Sequence, residues 1–193
     1  AISYGYTISK LTTTKLDVNV SPYAAFTSML SAHGTKFAHY IPNDHKPQYI
    51  HRKDGKLFQP YYIDLAVSSK TIQAAINGYG GEKPFTENDS ISVCIRGIET
   101  LGYGSTNKLN FNIIYKNGLL YLDSYIGDYI YLNFKNLPQY DKTLWIPMYL
   151  TSLGTVSRVL IEMKSTKKNT PLGIAIDNFT TYTTKTTDST TGK

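Results

Sequence analysis

The chain is most informative at first in what it is short of. Cys94 is its only cysteine, so no internal disulfide can staple the fold and a Cys-rich zinc or redox site is excluded. Glutamate is scarce, represented by Glu82, Glu87, Glu99 and Glu162 alone. With acids this scattered, spacing nominates no carboxylate pair of the kind that hydrolyses glycosides. No apolar run approaches the roughly 20 residues of a membrane-spanning helix. There is no G-x-S-x-G nucleophile elbow. Gly78-Tyr79-Gly80-Gly81 lacks the lysine and helix start of a phosphate-binding loop, and reads as a turn. These absences leave a chain without a complete catalytic set of its own, and no cofactor is expected.

What is present points to sheet. Tyrosine occurs 17 times and threonine is abundant, and both suit a pleated, half-buried surface. A length of 193 residues suffices for one domain with a real core. The net charge of +6 comes from dispersed lysines, which read as a solvated surface, with attraction to a polyanion such as RNA or an anionic cell surface as the alternative. Cys94 lies in the apolar run Ile91-Ser92-Val93-Cys94-Ile95 and reads as a buried, inert thiol. His33, His39, His45 and His51 recur every six residues. That spacing matches no helical face, and Gly34, Pro42 and Pro47 interrupt any continuous strand, so no metal site is expected. The chain opens at Ala1 as a processed one would. It carries two glycosylation sequons, at Asn88 and Asn178, and together these suggest a secreted or vacuolar protein.

Local patterning gives an order of elements. Leu16, Val18 and Val20 alternate as a strand, and Ser21-Pro22 followed by Phe26, Met29 and Leu30 predicts a helix over 22–32. Residues 40–60 and 78–90 read as loop. Ser69, with Ile72, Ala75, Ile76 and the terminating Gly78, predicts a second helix. Ile91 to Ile98, Leu109 to Tyr115, Leu119 to Ile126 and Tyr129 to Phe134 form an antiparallel meander, broken by Lys116-Asn117-Gly118 and Gly127-Asp128. Thr170-Pro171, followed by Leu172, Ala175, Ile176 and Phe179, predicts a third helix. Residues 181–193 form a polar, Thr-rich tail, expected to be exposed beyond a domain over 1–180. Strands in one block with helices around them predict an α+β fold with a mixed or antiparallel sheet.

Several segments, taken in order, resemble the ribosome-inactivating proteins, the ricin-like N-glycosidases of ribosomal RNA. Ser21-Pro22-Tyr23-Ala24-Ala25-Phe26 looks like the family's first helix, and Leu120 to Tyr125 with Tyr129 to Phe134 is similar to its tyrosine-bearing strands. Arg158-Val159-Leu160-Ile161-Glu162-Met163 and Pro171-Leu172-Gly173-Ile174-Ala175-Ile176, with Phe179 and Tyr182, complete the likeness. The resemblance implies that Tyr121 and Tyr149 hold the target adenine, that Leu122 and Tyr125 line its pocket, and that Arg158 stands beside the cleft.

The family's Glu-Ala-x-Arg-Phe helix is missing. The resemblance therefore implies an N-terminal fragment of a cleaved A chain, weakly active or inactive. Its partners would be a C-terminal fragment with the missing acid and arginine, and a galactose-binding lectin chain. The alternative is a secreted bacterial adhesin domain that binds glycans. Two or three real helices favour the first, and an all-strand sandwich with an open edge for a donated strand favours the second.

Overall fold

Period-two alternation of apolar and polar residues becomes strand almost everywhere it occurs in the computed structural model. The structure describes residues 6–9, 37–41, 49–99, 104–116, 119–123, 129–132 and 145–182. In chain order the strands are β1 (Tyr6–Ser9), β2 (Phe37–Tyr40), β3 (Tyr49–His51), β4 (Pro60–Val67), β5 (Ser90–Ile98) and β6 (Gly104–Lys116). They continue with β7 (Leu119–Asp123), β8 (Tyr129–Leu132), β9 (Ile146–Tyr149), β10 (Arg158–Ser165) and β11 (Ile174–Thr181). One α-helix, α1 (Ser69–Asn77), and a 3-10 turn at Thr151–Leu153 complete the described elements.

The strands form two sheets. One has the order β1-β2-β11-β4-β9 and the other β3-β10-β5-β6-β7-β8, and every described pairing is antiparallel. Alternation decides which side chains meet between them. In β5, Ile91, Val93 and Ile95 are fully buried while Ser92, Cys94 and Arg96 are half-buried. Leu109, Phe111 and Ile113 of β6 and Val159, Ile161 and Met163 of β10 join them. The other sheet contributes Ala38, Tyr40, Ile63, Leu65, Val67, Ile146, Ile174 and Ile176 to the same core. Each large aliphatic side chain so buried contributes about 1.5–3 kcal/mol. The opposite face of the five-stranded sheet carries a second, smaller cluster of Phe37, Ala66, Trp145 and Ala175. There Phe37 meets Trp145 edge to face at 5.5 Å between ring centres.

The fold is therefore all-β, which corrects the α+β expectation. Helix α1 forms where predicted, but Ser68 is its cap, its hydroxyl accepting from the Thr71 amide at 3.2 Å. The third predicted helix is instead β11. Leu172, Ala175, Ile176 and Phe179 do fall at helical spacing, but Ile174 and Ile176 face the core while Ala175 packs in the outer cluster. A segment buried on both faces is apolar throughout and satisfies either period, and pairing with β2 and β4 decides for strand. The meander β5-β6-β7-β8 pairs in the order read, while residues 117–118, 124–128 and 133–134, which hold most of its expected turns and strand ends, lie outside the described residues. Residues 40–60, read as loop, contain β3. Cys94 is half-buried opposite Glu162 and Asn110, because it falls on the outward phase of β5, not the buried one. The strand expected at Leu16 to Val20, the helix at 22–32 and residues 183–193 lie outside the described residues.

Candidate functional site

Among the described residues the large apolar side chains left exposed are Leu57, Tyr61, Tyr79, Tyr149 and Tyr182. Three of them meet. The ring of Tyr61 lies 5.7 Å from that of Tyr149 and 4.7 Å from that of Tyr182, and Tyr149 is also 5.5 Å from Tyr62. Register accounts for the contact of Tyr62 with Tyr149. Tyr62 on β4 pairs directly with Tyr149 on β9, so both project from one face. The Leu150 amide donates to the Tyr61 carbonyl at 2.8 Å, and the Tyr182 amide to the Gln59 carbonyl at 2.9 Å. Main-chain bonds thus pin the segments that carry the tyrosines. Tyr149 is 61% exposed, an unusual position for so large a ring without a partner to cover it.

A polar group stands behind the rings. The Tyr62 hydroxyl donates to Oδ1 of Asp64 at 2.6 Å, and the Asn178 side-chain amide donates to Oδ2 at 3.2 Å. Burial, then this hydrogen bond and the carboxylate charge, push the Tyr62 phenol well above its ordinary range. The hydroxyl bond to Asp64 anchors the tip of the Tyr62 ring. Asn178 reaches Asp64 from a register shift in β11, between Asp177, opposite Asp64, and Thr180, opposite Tyr62. Its φ of 48° is left-handed, a conformation asparagine tolerates better than most residues. Phe179, next in the bulge, packs edge to face on Phe58.

A second feature lies on the other sheet. Tyr49, His51, Arg52, Gly55, Ser157 and Arg158 line a concavity of about 330 Å³. The Arg158 guanidinium lies over the Tyr49 ring, 4.6 Å from its centre. Arg52, also in the lining, is engaged by a two-point bond to Asp54, at 2.9 and 2.7 Å, which keeps the Asp54 carboxyl far below the usual carboxylate range.

The residues singled out from sequence are divided between these places. Tyr149 belongs to the tyrosine cluster and Asn178 to the polar group behind it. Arg158 lies on β10 of the six-stranded sheet. Tyr121 and Leu122 lie on β7 of that sheet, with β5 and β6 between, a separation of roughly 14 Å at ordinary strand spacing. Tyr121 and Tyr149 thus belong to different sheets. Tyr125 lies outside the described residues. Asn88 is exposed in the turn before β5, whereas the Asn178 amide nitrogen is bonded to Asp64. Among the described residues no group of three or more His, Cys, Asp or Glu side chains is placed to hold a metal. Sequence reading missed Tyr61, Tyr62, Asp64 and Tyr182 as a set. Their one local signal is the Tyr61-Tyr62 pair opening an alternating strand.

No family model matches the sequence, and no curated protein does either. Solved structures do. A DUF4465 family protein from Bacteroides caccae superposes with a TM-score of 0.64 at 18% identity, over 92% of this chain and 73% of that one. A DUF4465 family protein from Bacteroides ovatus gives 0.53 at 17% identity, over 78% of this chain and 60% of that one. These neighbours and the all-strand architecture overturn the ribosome-inactivating reading, and with it the toxin and plant-defence associations. The companion fragment, the lectin chain and the adenine roles of Tyr121, Tyr149 and Arg158 rested on that resemblance and lose their ground with it. The chain is similar in fold to DUF4465 family proteins of Bacteroides, as a two-sheet, antiparallel β-sandwich.

Proposed function

We propose that this chain is an extracytoplasmic bacterial glycan-binding domain, with the Tyr61–Tyr62–Tyr149–Tyr182 cluster as its binding surface. The observation that carries this reading is a chain of neighbouring tyrosine rings, three of them exposed, backed by a bonded carboxylate and amide. A sugar presents a ring of C–H bonds on one face and hydroxyls around its rim. Tyrosine matches both, with an apolar body and a polar tip. The rings stand at 55–68° to one another, so they do not make a flat platform. That geometry suits a single soluble chain that wraps the cluster, and disfavours the flat face of a crystalline polysaccharide.

Native gel electrophoresis through soluble neutral polysaccharides tests this directly, with a panel of β-glucan, galactomannan, xylan and arabinan. The protein should be retarded by at least one of them and should not pellet with microcrystalline cellulose. Tyr149→Ala removes an exposed ring without touching the core, and should weaken binding about tenfold, or 1.4 kcal/mol. Unretarded migration through the whole panel would overturn the proposal.

A further inference from the structure

The concavity on the six-stranded sheet has a chemistry of its own. Arg158 on β10 pairs in register with His51 on β3, so both side chains leave the same face of the sheet. Tyr49, two residues before His51, shares that face, and the Arg158 guanidinium lies over its ring, 4.6 Å from the centre. Stacking of this kind restrains a long side chain while leaving its in-plane N–H donors pointing outward. Among the described residues Arg158 has no carboxylate partner. The other two arginines in those residues are differently disposed: Arg52 is clamped to Asp54, and Arg96 is paired with Glu162 across β5 and β10. Among the described residues no Asp or Glu lines the concavity, whereas two arginines and a histidine do. Ser157 also lines it, with its hydroxyl donating to the Ile98 carbonyl at 2.8 Å, which holds the approach to β10 in place.

A restrained guanidinium, unpaired with any acid and set in a concavity without carboxylates, is the arrangement that recognises a planar or tetrahedral oxyanion. We propose that this concavity binds an oxyanion group, sulfate or carboxylate, with Arg158 as the principal donor and His51 beside it. The group is either a free inorganic ion or the sulfate ester or carboxylate of an acidic sugar. The site stands apart from the tyrosine cluster, on the other sheet, so its occupancy does not depend on neutral-glycan binding there.

The test is titration of the full chain with sodium sulfate, a sulfated disaccharide, oligogalacturonate and the uncharged counterpart of each sugar. Amide shifts by NMR locate the response, and ionic strength is held constant with chloride. Saturable shifts at His51 and Ser157 with the charged ligands, absent with the uncharged sugars, are the expected result. Sulfate binding as tightly as the charged sugars would assign the free ion as ligand, and at least tenfold tighter binding of a charged sugar would assign the acidic saccharide. Arg158→Met keeps an unbranched side chain over Tyr49 and should weaken binding at least tenfold, whereas Arg158→Lys, keeping the charge but losing the fork, should weaken it less. The proposal is overturned if no charged ligand gives saturable shifts at these residues. Equal binding by the wild-type chain and Arg158→Met would overturn it as well. Titration of the wild-type chain needs no variant, so a failure of either variant to fold does not blunt it.

Discussion

Asp64 sits on the outward phase of β4 and is nonetheless only 5% exposed. A carboxylate so enclosed must have its lone pairs met, and Tyr62 and Asn178 each meet one oxygen. Tyr62→Phe would leave Oδ1 without its phenol donor, at a cost of about 1–3 kcal/mol in unfolding free energy. Urea denaturation measures this, and an unchanged midpoint would show that water replaces the hydroxyl freely. The same variant keeps its ring but frees it to turn, so neutral-polysaccharide affinity should fall less than in Tyr149→Ala. At this scale the sequence was half legible. The excess of tyrosine announced sheet, but nothing local to Tyr62 reveals that its neighbour is Tyr149. That pairing is a matter of register between strands far apart in the chain.

Strand β11 shows how an element can satisfy two periods at once. Its inward Ile174 and Ile176 and outward Ala175 are all buried, so polar spacing, the usual guide to strand, is missing. The meander was legible because β5 alternates cleanly and the sequence offers glycine-bearing breaks between the later apolar runs. The bulge at Asn178 gives the element its function, since it carries the amide to Asp64 as the register moves on to Thr180. Asn178→Gly keeps the left-handed backbone and loses only the amide bond. Asn178→Ala loses both, and should be the less stable of the two by about 1 kcal/mol. Paired thermal melts decide this, and the reverse order would mean that the bulge relaxes once the side chain is gone.

For the molecule as a whole, the division into two sheets was not legible, because β11 is placed between β2 and β4 by contacts that no local pattern encodes. That arrangement encloses His39, which is 1% exposed and flanked in register by Thr7 and Ala175. A Cβ added at Gly173 would lie 3.0 Å from the imidazole Cε1, a measure of how tightly the ring is packed. Burial lowers its pKa to about 4. The unfolded chain titrates at the ordinary value near 6.5, so between these limits it binds the extra proton and the folded chain does not. Stability from this residue is complete above pH 6.5 and is lost as pH falls towards 4, by about 3 kcal/mol in all. Urea midpoints at pH 7.5 and 4.5 should differ more in the wild-type chain than in His39→Gln. Equal differences would remove His39 as the cause.

Strand β9 closes the order of the five-stranded sheet as described, and it carries Pro147 two residues before Tyr149. Because the Leu150 amide points inward to the Tyr61 carbonyl, alternation turns the backbone nitrogens of residues 147 and 149 the other way, off the sheet. Proline has no hydrogen to offer there. The strand that displays the most exposed ring therefore presents a broken row of donors, a poor template for another strand to extend. The edge beside the exposed tyrosines is thus guarded against seeding fibrils through its own backbone.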